Sequence, residues 1–167
     1  MLGFSRTFGY LLKALSLVPD PEGIPVRVSE IARSTGIPRP YLAKLVHMLG
    51  KAGTLQTIRG RRGGIRLNRP ASEITLRELL ELIEGSDVFG RCLLGLTSCD
   101  DTEACPSHDL WKTMRETIAQ RLETVTLYDV RTYKRFNEAQ ILEQLAPLPP
   151  PQQSSPKQRR VRQAPRH

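Results

Sequence analysis

A short basic turn between two strand-like segments constrains the fold of this chain most strongly. The run Arg59-Gly60-Arg61-Arg62-Gly63-Gly64 separates residues 55–58 from residues 65–67, and both flanking segments are rich in apolar and β-branched residues. Glycine permits the tight backbone of a hairpin turn, so the pattern predicts two short antiparallel strands. Three arginines this close repel one another unless an anion lies among them. The turn therefore predicts a hairpin tip that binds phosphate or a nucleic-acid groove rather than a merely solvated loop.

Two helical segments come before this hairpin in the winged helix-turn-helix order. Residues 28–35 predict a short helix with Ser29 as N-cap and Gly36 as the glycine after its end. A further helix follows Ile37-Pro38 and ends near Gly53. Two helices joined by a glycine-containing turn form a helix-turn-helix, and the hairpin behind them is its wing. An earlier helix is predicted from five apolar residues at helical spacing: Phe4, Phe8, Leu11, Leu12 and Leu15.

Two more helices are predicted downstream of the wing. Leu76 to Ile83 form a fourth helix, capped by Thr75 and ended by Gly85. Ser107 caps a long helix whose apolar residues are spaced three, four, four and three apart: Trp111, Met114, Ile118, Leu122 and Val125. Such a seam is typical of helices that pair, although ordinary core-facing stripes look similar. We therefore expect a mainly α fold with a small β-hairpin wing, namely a winged helix-turn-helix plus a long dimerisation helix from about residue 111 to residue 130.

Charge is distributed unevenly along the chain and suggests how it is organised. Residues 1–70 carry 12 Lys/Arg and 3 Asp/Glu, residues 71–146 carry 8 and 14, and residues 147–167 carry 5 and none. We predict five regions: a DNA-binding domain (1–70), a connecting helix (71–90), a cysteine loop (91–108), a dimerisation region (109–146) and a disordered basic, proline-rich tail (147–167). A signal peptide or membrane span is not predicted, which favours a cytoplasmic protein.

The three cysteines of the chain lie within one short segment. Cys92, Cys99 and Cys105 are separated by six and five residues, and His108 follows. In a reducing compartment a clustered, odd set of cysteines favours a metal or redox centre. Cysteine thiolates are the usual ligands of iron–sulfur clusters, of either the 2Fe–2S or the 4Fe–4S kind, and His108 is the nearest fourth ligand. Asp100, Asp101, Glu103 or water remain alternatives for that position. A Cys₃His zinc site or a metal-free thiol switch is also open, although structural zinc sites usually contain a closer cysteine pair.

The sequence also resembles a known family. The segments Val28-Ser29-Glu30-Ile31-Ala32, Gly36 to Leu42, Ile58 to Gly64 and Ile74 to Glu78, followed by Glu84-Gly85 and the cysteines, resemble the Rrf-type bacterial winged-helix regulators over about residues 1–135. That family includes the iron–sulfur-cluster assembly regulator and the nitric-oxide-sensing repressor. The resemblance implies a homodimer that binds a palindromic operator in double-stranded DNA. It also implies that an iron–sulfur cluster on Cys92, Cys99 and Cys105 controls binding. The alternative is a cluster-free thiol-based or zinc-containing redox-responsive repressor of the same fold.

Candidate DNA contacts follow from the predicted helices and wing. We expect the following residues to meet bases or phosphates: Ser29, Pro38, Arg39, Tyr41, Lys44, His47, Arg59, Arg61 and Arg62. Tyr41 could equally be a core residue. A redox enzyme or cluster carrier is the competing class of function. The sequence argues against an enzyme, since it has no nucleophile–base pair, phosphate loop or cofactor fingerprint.

Overall fold

The computed structural model describes residues 4–95 and 104–133 of the 167-residue chain. In chain order they form α1 (Arg6–Leu15), α2 (Val28–Thr35), α3 (Arg39–Lys51), β1 (Leu55–Ile58), β2 (Gly64–Leu67), α4 (Leu76–Glu84), α5 (His108–Thr124) and α6 (Leu127–Thr132), with a short 3-10 turn at Ala71–Glu73. The predicted fold class, mainly α with a small hairpin, is confirmed. No helix in the described part is long and apolar enough to cross a membrane. The predicted tail, residues 147–167, lies outside the described residues.

The helix-turn-helix is built from α2 and α3, as the sequence predicts. Gly36 ends α2 with φ +70°, a conformation that glycine adopts without strain. The prediction that Ser29 caps α2 is wrong, because Arg27 is the N-cap and Ser29 lies in the first turn. The helix begins shortly after Val26, whose backbone is paired with Ile65. The Arg27 N–H donates to Glu30 Oε2 at 3.2 Å, which closes the helix start.

The predicted hairpin is confirmed. Strands β1 and β2 pair antiparallel, with Leu55 opposite Leu67 and Ile58 opposite Gly64. Val26 adds a single bridge beside β2: its N–H donates to the Ile65 carbonyl at 3.0 Å, and the Ile65 N–H donates back at 2.8 Å. A side chain at Gly64 would lie 2.5 Å from the Val26 carbonyl oxygen, so only glycine permits this close approach. The wing is thus fixed to the segment that leads into α2.

The C-terminal half differs from the prediction at one point. Thr75 caps α4 through the Glu78 N–H and Gly85 follows its last residue, as predicted. The long helix α5, however, ends at Thr124 and does not run on to residue 130. Val125 is extended because its carbonyl accepts from the Leu76 N–H at 2.9 Å, and the Leu127 N–H donates to Ile74 at 2.8 Å. This pairing turns the chain back onto the domain as α6.

One hydrophobic core joins these elements. The side chains that are almost completely buried come from α1, α2, α3, β2, α4 and α6: Leu11, Leu15, Ile31, Leu42, Leu49, Leu67, Leu79, Leu80 and Leu127. Helix α6 is held further by Arg131, which donates to the backbone carbonyls of Leu15 and Val18 and pairs with Asp20. Helix α5 contributes less, with only His108 and Ala119 buried. The core therefore joins α3 to the strands of the wing and leaves much of α5 on the surface.

Candidate nucleic-acid interface and cysteine loop

The tip of the wing presents unneutralised positive charge. Arg59, Arg61 and Arg62 are all exposed. Within the described part of the chain, none of their guanidinium groups has a hydrogen-bond or ion-pair partner, and the Arg61 contact described below involves its backbone carbonyl. The turn is closed by a hydrogen bond from the Gly63 N–H to the Gly60 carbonyl at 3.0 Å, and Gly60 adopts φ +105°, a conformation that favours glycine. A closed turn that displays three exposed guanidinium groups is suited to bind phosphates.

The outer face of α3 lies beside the wing and carries more basic groups. Arg39, Lys44 and His47 are exposed or partly exposed, while Leu42, Leu45 and Leu49 face the core. A shallow groove between α3 and β1 is lined by Arg39, His47 and Lys51 together with small and aliphatic residues. Pro38 is exposed at the N-cap of α3, and Ser29 is half-buried in the first turn of α2. The structure therefore places the predicted contact residues of α3 and the wing on neighbouring surface elements.

Tyr41 differs from these residues in its surroundings. Its ring packs edge-on against Tyr10 of α1, with centroids 5.7 Å apart and an angle of 74° between the rings. Its hydroxyl donates to Thr7 Oγ1 at 2.7 Å. These contacts orient the first turn of α3 against α1 and favour a packing role.

The described part of the cysteine loop brings a buried histidine next to Cys105. His108 is only 4% exposed and begins α5, and its N–H donates to the Cys105 carbonyl at 2.9 Å. Cys92 and Cys105 are both half-buried. Cys99, Asp100, Asp101 and Glu103 lie outside the described residues. Among residues 4–95 and 104–133, no three His, Cys, Asp or Glu side chains form a group that could hold a metal ion. Ser107 occupies the N-cap position of α5, but its side chain makes no capping hydrogen bond.

Arg91, the residue before Cys92, connects two helices. Its carbonyl accepts from Trp111 Nε1 at 2.8 Å and from Arg115 Nη1 at 3.3 Å, both on α5. Its guanidinium pairs with Asp87 at 3.2 Å and donates to the Glu84 carbonyl at the end of α4. The pairing with Arg91 lowers the pKa of the Asp87 carboxyl. Sequence reasoning assigned Trp111 only to the seam. The amphipathic indole, with its single N–H donor, was the signal that a polar partner lay near.

Comparison with known proteins agrees with the fold. The model of a family described as "Rrf2: Iron-dependent Transcriptional regulator" matches residues 4–132. The fold is a winged helix-turn-helix, and the matched family is one of transcriptional regulators rather than of enzymes. The chain belongs to the Rrf2 family.

Individual relatives support the same assignment. A putative HTH-type transcriptional regulator of Aquifex aeolicus is 33% identical over 129 residues, which is 76% of this chain and 90% of that protein. The HTH-type transcriptional regulator IscR of Serratia proteamaculans is 32% identical over 106 residues, which is 64% of each chain. Among solved structures, CymR, the global cysteine regulator of B. subtilis, has a TM-score of 0.68 at 26% identity and covers 80% of this chain and 99% of that one. IscR of T. potens has a TM-score of 0.62 at 27% identity, covering 77% and 85%.

Proposed function

We propose that this regulator is a homodimer that binds a palindromic operator and that an iron–sulfur cluster on its cysteine loop controls its affinity for that operator. The observation that carries the DNA-binding part is the wing, where three exposed arginines stand on a glycine-constrained turn beside the basic face of α3. In this proposal α3 enters the major groove with Arg39, Lys44 and His47, and Ser29 and Pro38 lie near the backbone. Arg59, Arg61 and Arg62 reach the backbone or minor groove.

The salt dependence of DNA binding tests this surface. If each subunit neutralises about four phosphates, the plot of log affinity against log salt concentration should have a slope near −7 for a dimer, from about −0.9 per phosphate. The double substitution of Arg59→Ala and Arg61→Ala should reduce that slope by about 0.9 for each phosphate that is no longer neutralised. A slope near zero for the unaltered protein would refute the proposed interface. Unchanged binding by the double variant would exclude the wing.

The exposed side of α5 supports the proposed dimer. Leu110 is 67% exposed and Ile118 is 37% exposed, while Trp111 and Met114 are half-buried. A second copy of the same helix would bury this surface and place two α3 helices about one DNA turn apart. Analytical ultracentrifugation at micromolar concentration should show a dimer. A monomer, together with footprints that cover a single half-site, would contradict this arrangement.

The residue types of the cysteine loop support the cluster proposal. Cys92, Cys99 and Cys105 would supply thiolates, and His108, buried beside Cys105, would supply the fourth ligand. When bound, the cluster would provide an iron centre that is open to redox chemistry or loss. The chain's own contribution is the link through Arg91, because its carbonyl is held by Trp111 and Arg115 and its guanidinium by the end of α4. A change in the loop at Cys92 would thus be passed to α4 and α5.

Anaerobic purification followed by absorption spectroscopy and by iron and acid-labile sulfide analysis tests the cofactor. Iron and sulfide in equal amounts, lost when Cys92, Cys99 and Cys105 are replaced by alanine, are expected. Two other results would contradict the cluster and support the second candidate, a zinc-containing or thiol-based switch. One is zinc without sulfide, and the other is a metal-free protein whose thiols oxidise reversibly. The likeness to CymR, whose Staphylococcus aureus form has been solved in an oxidised state, supports this second candidate.

A further inference from the structure

Arg27 lies where the wing and the helix-turn-helix meet, a position to which the sequence analysis assigned no role. The residue before it, Val26, is fixed to β2 by the two backbone hydrogen bonds with Ile65. The residue after it, Val28, begins α2. The Arg27 backbone is therefore held on both sides, and its side chain starts from a defined point.

The side chain extends to the wing tip. Arg27 Nη2 donates to the backbone carbonyl of Arg61 at 2.7 Å, across 34 residues of sequence. This is the single hydrogen bond of its guanidinium within the described residues, and no carboxylate there lies within ion-pair distance of it. The nearby Glu30 instead accepts from the Arg27 backbone N–H. A guanidinium group has five N–H donors in a planar fork, so four remain available on an exposed residue.

We propose that Arg27 is a further DNA-backbone contact that also sets the position of the wing. One arm of its guanidinium holds the Arg61 carbonyl, and the remaining donors bind a phosphate oxygen. A planar fork can serve a carbonyl on one side and a phosphate on the other, which a lysine ammonium does less well. Arg27, Arg59, Arg61 and Arg62 then form one continuous positive surface from the start of α2 to the wing tip. This inference rests on the proposed DNA-binding surface and adds to it a residue that ties its two parts together.

The test compares three variants of the full chain: Arg27→Ala, Arg27→Gln and Arg27→Lys. Affinity is measured by fluorescence anisotropy over a range of salt concentrations, with a labelled duplex selected from a random-sequence pool. Arg27→Ala and Arg27→Gln should reduce the log–log salt slope by about 0.9 per subunit, or about 1.8 for a dimer. Arg27→Lys keeps the charge and should restore most of that slope. A purely structural role would change affinity but not the slope.

Arg69→Ala is the matched control, because it removes the same charge from a position just beyond the C-terminal end of β2, away from the wing tip. Arg69 is half-buried and pairs with Glu78 of α4 rather than with the wing tip. The slope of this variant should stay that of the unaltered protein. Circular dichroism establishes that each variant is folded, which is expected because the α2 start is closed by the Glu30 side chain and the Arg27 backbone.

The possible outcomes distinguish this inference from the function on which it rests. The proposal is supported if Arg27→Ala and Arg27→Gln reduce the log–log salt slope and Arg27→Lys restores most of it. An unchanged slope in the alanine variant overturns it, as does an equal loss in lysine or in the Arg69 control. Absence of salt-dependent binding by the unaltered protein would instead refute the DNA-binding surface itself.

Discussion

Replacing Gly63 by alanine should destabilise the protein and weaken DNA binding, although the change adds only one methyl group. A Cβ at this position would lie 2.2 Å from the Ile58 carbonyl oxygen and 2.9 Å from the Arg59 carbonyl carbon and the Gly60 oxygen. These are backbone atoms of the same turn, so they cannot rotate away as a side chain would. The hairpin must open by about 1 Å to restore ordinary contact, and overpacking of this kind typically costs about 1–3 kcal/mol.

The expected consequences are measurable in two ways. For a chain of this size, that destabilisation lowers the melting temperature by roughly 2–12 °C, at 2–4 °C per kcal/mol. The same displacement moves Arg61 and Arg62 away from the phosphates, so the log–log salt slope should fall by about 0.9 for each phosphate that a subunit no longer neutralises. Thermal unfolding by circular dichroism and anisotropy titrations at several salt concentrations measure both effects.

Gly9→Ala provides the matched control because the chemical change is identical. Gly9 is an exposed position inside α1, and a Cβ there would meet no atom within 4 Å. Glycine inside a helix costs about 0.5–1 kcal/mol relative to alanine, so Gly9→Ala should raise stability and leave DNA binding unchanged. If Gly63→Ala proved as stable and bound DNA as well as Gly9→Ala, the steric reasoning about the wing would be wrong.

Three further predictions concern the C-terminal half. The Arg131 side chain is only 15% exposed, donates to the carbonyls of Leu15 and Val18 and pairs with Asp20. Arg131→Met should lower the free energy of unfolding, measured with urea, by about 2 kcal/mol, and an unchanged value would contradict its role in holding α6. Trp111→Phe removes the hydrogen bond to the Arg91 carbonyl and should lower the free energy of unfolding by about 1 kcal/mol in the same assay. An unchanged free energy would mean that the hydrogen bond from Arg115 is enough to hold the Arg91 carbonyl. Hydrogen bonds from Thr126 lower the pKa of the Asp129 carboxyl. The ionised Asp129 therefore stabilises α6 fully above the ordinary carboxyl pKa, and this stabilisation is lost as the pH falls through the lower folded-state pKa. Asp129→Asn should flatten the acid side of a plot of melting temperature against pH, and an identical profile would count against this cap.

Local patterns in the sequence were enough to predict the helix-turn-helix and the wing. Gly36, Gly85 and Thr75 mark helix ends through backbone freedom and capping, which are properties of a few neighbouring residues. The hairpin is equally local, since its register follows from the short turn. These elements could be placed without knowledge of the tertiary structure.

The errors lie where distant segments meet. Ser29 has good capping chemistry, but the start of α2 is set by the pairing of Val26 with Ile65, on the far side of the helix-turn-helix in sequence. The end of α5 is set in the same way by the contacts of Val125 and Leu127 with Ile74–Leu76. Neither constraint can be seen in the spacing of apolar residues along a helix, because each depends on a segment that is distant in the sequence.

The candidate site was only partly accessible from the sequence. Charge and glycine content identified Arg59, Arg61 and Arg62, whose exposure depends on the local turn. The contact of Arg27 with the Arg61 carbonyl and that of Trp111 with the Arg91 carbonyl join residues far apart in the chain, and each uses a backbone acceptor. Backbone acceptors leave no mark on residue identity. The sequence could therefore indicate that the Trp111 indole needs a polar partner, but not that this partner is the Arg91 carbonyl.

The proposed control of DNA binding by the cysteine loop is tested most directly by operator affinity with and without the cluster. The cluster-loaded protein is compared with the variant in which Cys92, Cys99 and Cys105 are all alanine, both under anaerobic conditions and both shown to be folded and dimeric. The two forms should differ in operator affinity by about 5- to 150-fold, which corresponds to a coupling free energy of about 1–3 kcal/mol. Equal affinities would leave the cluster without a regulatory role and would contradict the proposed function.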